Sequence, residues 1–444
     1  MPIEPAGTGA VTSVPRMAGP SIVRRPPFGS NPLVGERGSD TQRRILGAAL
    51  NVFAEVGFND ARVELITRHA GCSRPAFYQY FSSKDDVFWK LAGELGHEMV
   101  ELGDQLDTVT PDVEGVAALA RWIDEFMILY ETYAPVFSAF QAASRDHQPL
   151  AQGSSSISNR LGHALQRAFG SDDHAGGATL ATGVVAVLIR CSFYQQAMAG
   201  AVERQRLIDG LAQIVHRLFV GPVDGVNTQR GDTALPRRQA TPAPELPTTD
   251  HGRALRPRGE KTRQRLLDAG ATVLPARGYH DARVDDIVKV AGVSHGSFYR
   301  YFESKDDFFR VVAAAASTRM IELLDVFPAN ADATKLRGWL EDWFATYENN
   351  GGVISTWQEM QSSNPELASF SQGVASSVLA RLIQLLDERD FGDPLVDALA
   401  LLALIERLPY SVLTLRFTDR ADAINAMVAI IRRGLMGFTD TGND

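Results

Sequence analysis

The chain has only two cysteines, Cys72 and Cys191, in 444 residues. Two thiols make no disulfide framework, and a reduced cytoplasm fits. Long hydrophobic runs are missing. Val184–Ile189 is apolar but far too short to span a bilayer, and Pro and Gly interrupt the N-terminus where a signal-peptide core would lie. A cytoplasmic protein without a membrane partner is expected. There is no basic excess. The net charge of −9 argues against binding nucleic acid by bulk charge, so any such binding must come from a placed basic face. Also lacking are a P-loop, a nucleotide fingerprint, a zinc-ligand cluster and a nucleophile elbow. His97, His147 and His163 are scattered. The expectation is no enzyme, no cofactor and no metal. No segment is β-rich, so an all-α fold is expected.

What the chain does have is an internal repeat. Gly71-Cys72-Ser73-Arg74-Pro75-Ala76-Phe77-Tyr78-Gln79-Tyr80-Phe81 recurs as Gly292-Val293-Ser294-His295-Gly296-Ser297-Phe298-Tyr299-Arg300-Tyr301-Phe302. Without a gap, Thr41–Lys90 aligns with Thr262–Val311, and roughly 23 of about 50 positions are identical, the mark of a duplication.

Each copy predicts three helices. The first runs from about Thr41 to Glu55, with Ile45, Leu46, Ala49, Val52 and Phe53 at helical spacing, and Gly57 ends it. The second covers about Arg62 to His69. Gly71 breaks it, Ser73 can cap the third, and Pro75 fits that helix's first turn. Two helices joined by a tight turn form a helix-turn-helix, the device that enters a DNA major groove.

The pattern Ala-Gly-x-Ser-x-x-x-Phe-Tyr-x-Tyr-Phe-x-Ser-Lys-Asp-Asp resembles the recognition segment of the TetR family of transcriptional repressors. The likeness covers about fifty residues in each copy, and the chain looks like two family members fused head to tail. The resemblance implies homodimer-like DNA binding and, behind each head, a helical domain for a small-molecule effector and for dimerisation.

The expected layout is a disordered basic arm over 1–38, a first DNA-binding domain over 39–90 and a first helical regulatory domain over 91–220. A flexible linker over 221–257 follows, then a second DNA-binding domain over 258–311 and a second regulatory domain over 312–438. Arg37 in the arm, and Arg253, Arg256 and Arg258 before the second head, can reach a minor groove; an inert tail fits equally. Trp122, Phe126 and Tyr130 share one helix face, and Trp339, Trp343 and Tyr347 repeat the stripe. Phe140 aligns with Trp357. These eight aromatics are core candidates, and the resemblance makes them candidate pocket residues as well. Leu401, Leu402, Leu404 and Ile405 make a helix apolar on most sides, which needs burial on most sides.

The candidate DNA contacts fall into three groups. Lys84 and Lys305 sit at a helix start, where a cation is disfavoured unless a phosphate lies above it; the other reading is a solvated lysine. Tyr78, Tyr80, Tyr299 and Tyr301 resemble family residues whose hydroxyls reach phosphates, although one of each pair can serve packing alone. Arg74, Pro75, Ala76 and Gln79 differ from His295, Gly296, Ser297 and Arg300, so these positions would read bases and the half-sites would be unequal. Ser73 and Ser294 complete the two recognition turns. Arg62 and Arg283 occupy a cap position often held by Thr in the family; Asp60 or Asp281 would cap instead and free the arginine for phosphate. Pro275 is expected to bend or end the second copy's first helix.

The reading is a DNA-binding, ligand-responsive regulator, most simply a repressor, on an imperfect palindromic double-stranded operator. Its heads would sit about 34–36 Å apart. The alternative is a small-molecule- or protein-binding scaffold with a vestigial DNA surface. The halves can pair within one chain as a pseudo-dimer, or each with its twin in a homodimer.

Overall fold

A computed structural model describes residues 36–144, 161–169, 176–197, 202–223, 257–330, 332–360, 365–387, 389, 391–413 and 418–438. Among these residues every regular element is helical, and no helix is long and apolar enough to cross a membrane. The readings placed on residues 1–35 and 224–256 fall outside the described residues.

The first head comprises α1 (Glu36–Asp60), α2 (Val63–His69) and α3 (Arg74–Tyr80). α1 starts earlier than expected, so Arg37 lies in its first turn rather than in an arm. It breaks at Gly57, whose φ of 75° is left-handed and suits glycine. Ile45, Ala49, Val52 and Phe53 are buried in one core with Ile66, Phe77, Phe81 and Phe88. α4 (Lys84–Asp104) carries the chain out of the head. Ser83 caps its start. Ser83 Oγ accepts from the Asp86 N–H at 3.2 Å, and Asp86 Oδ2 accepts from the Ser82 N–H at 2.8 Å.

Behind the head lie α5 (Val113–Ser144), α6 (161–168), α7 (Gly176–Ala197) and α8 (Arg204–Phe219). α5 kinks at Tyr133, two residues before Pro135, where proline removes a backbone donor. The second half repeats the order with α9 (Pro257–Asp281), α10 (Val284–Ala291), α11 (His295–Tyr299), α12 (Lys305–Asp325), α13 (Ala333–Met360), α14 (Pro365–Asp387), α15 (Pro394–Leu413) and α16 (Arg420–Ala429). α16 continues into a π-helical turn, Ile430–Leu435. α9 runs through position 275 to Asp281, so Pro275 does not end it, and Arg258 sits in its first turn. A repeated clamp ties each half together: Arg204 of α8 pairs with Asp124 at 2.7 Å, and Arg420 of α16 pairs with Glu341 at 2.9 Å.

The two halves pack on each other through their last helices. α7 lies against α15 and α16, and α8 lies against α15 and the π-helical turn. α15 is buried on nearly every side, as its apolar sequence requires. Gly210 of α8 permits the approach: a Cβ there would stand 2.6 Å from Val396 of α15.

The polar contacts across this seam run one way. Arg190 meets Glu406 at 2.8 Å, Arg206 meets Asp393 at 2.5 Å, and Arg217 meets Asp397 at 3.7 Å. In each pair the first half supplies the cation and the second half the anion. Arg217 also donates to the Gly434 carbonyl at 2.9 Å, and Arg389 of the second half reinforces Asp397 at 2.5 Å.

Candidate nucleic-acid interface

The turn between α2 and α3 depends on Gly71, whose φ is 61°. Ser73 then accepts from the Ala76 N–H at 3.3 Å and starts α3. Phe77 is fully buried and Phe81 nearly so, their rings 5.8 Å apart, which pins one side of the helix to the core. Helical spacing therefore turns Tyr78 outward, 48% exposed. The second head repeats each step: Gly292 at φ 62°, Ser294 capping Ser297 at 3.3 Å, Phe298 buried and Tyr299 51% exposed. The two serines are thus spent on capping.

The positions expected to read bases lie on this outward side. Arg74, Pro75 and Gln79 are exposed, as are His295, Gly296 and Arg300; Ala76 and Ser297 are half-buried. Arg62 and Arg283 are exposed at the start of α2 and α10. Neither Asp60 nor Asp281 caps these helices. In the second head the Arg283 N–H donates to Asp286 Oδ2 at 3.1 Å, and the first head has no side-chain cap bond there, because Leu65 stands where Asp286 does.

The tyrosines take the alternative left open for them, and the lysine expectation needs correction. Tyr301 is buried at 8% exposure and Tyr80 is half-buried against the core, so one tyrosine of each pair packs and the other faces out. Lys84 and Lys305 do not stand free above a helix start. Lys84 Nζ donates to the Phe58 and Asn59 carbonyls at 2.7 and 2.8 Å and lies over the Phe58 ring at 4.8 Å. Lys305 Nζ donates to the Ala282 carbonyl at 3.1 Å. The chain following the first helix of each head leaves carbonyls without helical partners, and the lysine supplies the missing donor. Burial lowers both lysine pKa values. The helix-dipole argument for a phosphate loses its premise, because the ammonium already has a structural task.

A network that sequence reasoning missed links α2 to α3. Arg74 pairs with Glu64 at 2.9 Å, and the neighbouring Tyr78 side chain and Glu64 raise its pKa. In the second head His295 pairs with Asp285 at 3.3 Å, and its ring lies 5.2 Å from that of Tyr299. An acid, a nitrogen-bearing side chain and a tyrosine occupy equivalent positions in both copies. The acid at 64 and 285 was the available signal, since it recurs in the repeat as Glu and Asp.

The aromatic stripe is core along most of its length. The Trp122, Trp339 and Trp343 indoles donate to the carbonyls of Leu102, Leu323 and Ile405 at 2.9, 2.7 and 2.8 Å, and Phe126 is 2% exposed. Tyr130 and Tyr347 end the stripes, buried at the seam side. The side chains of Phe140 and Trp357 fall outside the described residues.

Residues 45–90 and 266–312 each match the family of bacterial regulatory proteins, tetR family. Among curated proteins the chain is similar to the uncharacterized HTH-type transcriptional regulator YdgC of Bacillus subtilis, 39% identical over 71 residues, or 16% of this chain and 36% of that one. It is similar to the transcriptional regulator AcuR of Cereibacter sphaeroides, 42% identical over 74 residues, or 16% and 34%. It also resembles the HTH-type transcriptional regulator EthR of Mycolicibacterium smegmatis, 26% identical over 157 residues, or 34% and 72%. The first two similarities thus span about a third of those relatives, in keeping with a DNA-binding head.

Proposed function

We propose, from the premise that this chain is a tandem member of the TetR family, that it is a ligand-responsive transcriptional repressor whose two unequal heads act as one pseudo-dimer. The observation that carries the pairing is the one-way charge across the seam. In a pairing of first half with first half, Ile189, Gly176 and Leu180 would stand where Glu406, Asp393 and Asp397 do, and Arg190, Arg206 and Arg217 would have no carboxylate to meet them. Buried cations left unpaired cost several kcal/mol each, about 3–5 on breaking such a pair. First half with second half is the pairing that satisfies them.

Each head offers an exposed tyrosine hydroxyl for phosphate and a recognition face of different chemistry. Arg74 suits a guanine edge and Gln79 an adenine edge, whereas the second head has His295 in place of Arg74 and the guanine-suited Arg300 in place of Gln79. The operator is therefore an imperfect palindrome. An effector in the helical domains shifts the population between two head spacings, which needs a differential affinity of about a few kcal/mol.

Selection of binding sites from random double-stranded DNA by the full chain tests this. Two related, unequal half-sites are expected. Tyr78→Phe should weaken binding through one half-site and Tyr299→Phe through the other, with the fold intact by circular dichroism. A selected motif unaffected by both substitutions would place the DNA surface elsewhere.

A further inference from the structure

The seam holds an arginine, Arg407, that has no acid of its own. The spacing that separates Tyr130 from Tyr347 also separates Arg190 from Arg407, so the two arginines are counterparts across the repeat. Each lies over an aromatic ring three residues on, Arg190 over Phe193 at 4.5 Å and Arg407 over Tyr410 at 5.0 Å. The carboxylate beside Arg407 in sequence, Glu406, is taken. Arg190 holds its Oε2 at 2.8 Å and the Tyr194 hydroxyl donates to the same oxygen at 2.7 Å. The counterpart of Glu406 in the first half is Ile189, so the repeat supplies no second acid at that position. Its guanidinium makes no hydrogen bond or ion pair among the described residues, and a second cation, Arg190, opposes its charge.

Around it are hydroxyls that are also unused. Tyr130, 3% exposed, and Tyr347, 5% exposed, make no hydrogen bond among the described residues. Both lie within electrostatic reach of Arg407 and of Arg190. Burial raises both phenol pKa values, that of Tyr130 to about 12, so both remain donors at neutral pH. A half-buried guanidinium and the hydroxyls of two largely buried tyrosines from opposite halves thus share one region of net positive charge. Trp343 closes it on one side, its indole bonded to the Ile405 carbonyl two residues before Arg407.

We propose that this region is a binding site for one monoanionic organic acid per chain, its carboxylate on Arg407 and the hydroxyls of Tyr130 and Tyr347, its apolar body among the stripe aromatics. A planar carboxylate fits the guanidinium fork, and a single charge balances the surplus where a phosphate dianion would exceed it. That the acid acts as the effector rests on the reading of the chain as a ligand-responsive repressor. The binding itself does not, because it is measured without DNA. Since Tyr130 comes from one half and Arg407 and Tyr347 from the other, an occupant bridges the two halves.

The test uses the full chain, without DNA, and a panel of straight-chain and arylalkyl carboxylic acids, each with its primary amide. Thermal unfolding and calorimetry are the readouts. At least one acid should raise Tm and bind at one per chain, with its amide about ten-fold weaker or more, a difference of about 1.4 kcal/mol. Arg407→Met should abolish the acid's effect and leave the free chain as stable as wild type or more so, because it removes an uncompensated charge. The proposal is overturned if no acid outperforms its amide, if Arg407→Met binds the acid as wild type does, or if Arg407→Met lowers Tm as a structural arginine would. If the acid binds but leaves operator affinity unchanged, the site stands and the ligand-responsive reading fails.

Discussion

Arg190 and Glu406, from opposite halves of one chain, form an ion pair at 2.8 Å in which the side chains are only 12% and 16% exposed. Breaking such a pair on one side strands the other charge. Glu406→Gln is expected to destabilise the chain by about 3–5 kcal/mol, whereas Arg190→Met combined with Glu406→Leu should cost little or stabilise. Urea unfolding of the two variants checks this, and the ordering of single below double is the decisive feature.

The approach of α8 to α15 gives a steric prediction. Gly210→Val would drive a branched side chain into Val396, an overpacking expected to cost about 1–3 kcal/mol. Gly93, around which nothing lies within 4 Å, is the control: Gly93→Ala should leave stability unchanged or raise it, by up to about 1 kcal/mol from helix propensity. Thermal melts of both variants provide the comparison.

Lys84 and Arg62 are expected to part company. Lys84 is engaged with the Phe58 and Asn59 carbonyls, so Lys84→Met should lower the stability of the first head, with the salt dependence of DNA binding little changed. Arg62 is exposed, and Arg62→Gln should leave stability alone while reducing the slope of log K against log salt by about 1. Titrations at several salt concentrations, beside melts of each variant, separate the two roles.

Much of this was legible in the sequence, and particular residues show why. The duplicated glycines, Ser caps and Phe pairs specify backbone geometry locally, so the three-helix heads could be read directly, whereas which tyrosine of each pair faces out could not. The two lysines could not. Their partners are carbonyls more than twenty residues away, set by how the turn after the first helix folds back, and no local spacing reveals that. The seam was half legible. The apolar character of Leu401 to Ile405 demanded a partner, but the choice of partner rests on Arg190, Arg206 and Arg217 meeting Glu406, Asp393 and Asp397, and one-way charge emerges only when the helices are placed together.

The thiols report on the same packing. Cys191 is fully buried in α7 and burial pushes its thiol far up; Cys72 is half-buried beside the recognition turn and its pKa is raised by burial against the opposing pull of Arg44. A raised thiol pKa leaves less thiolate at neutral pH. A disulfide reagent should modify Cys72 slowly and Cys191 only on unfolding. Equal rates for the two would contradict the buried seam.

The central claim is that one chain supplies both heads of the DNA-binding unit. The most direct measurement is the mass of the complex formed on a selected operator, by sedimentation or light scattering, across a range of chain concentrations. The account predicts one chain per duplex, with half-saturation following a simple hyperbola. Two chains per duplex at every occupancy, each leaving one head unbound, would contradict it.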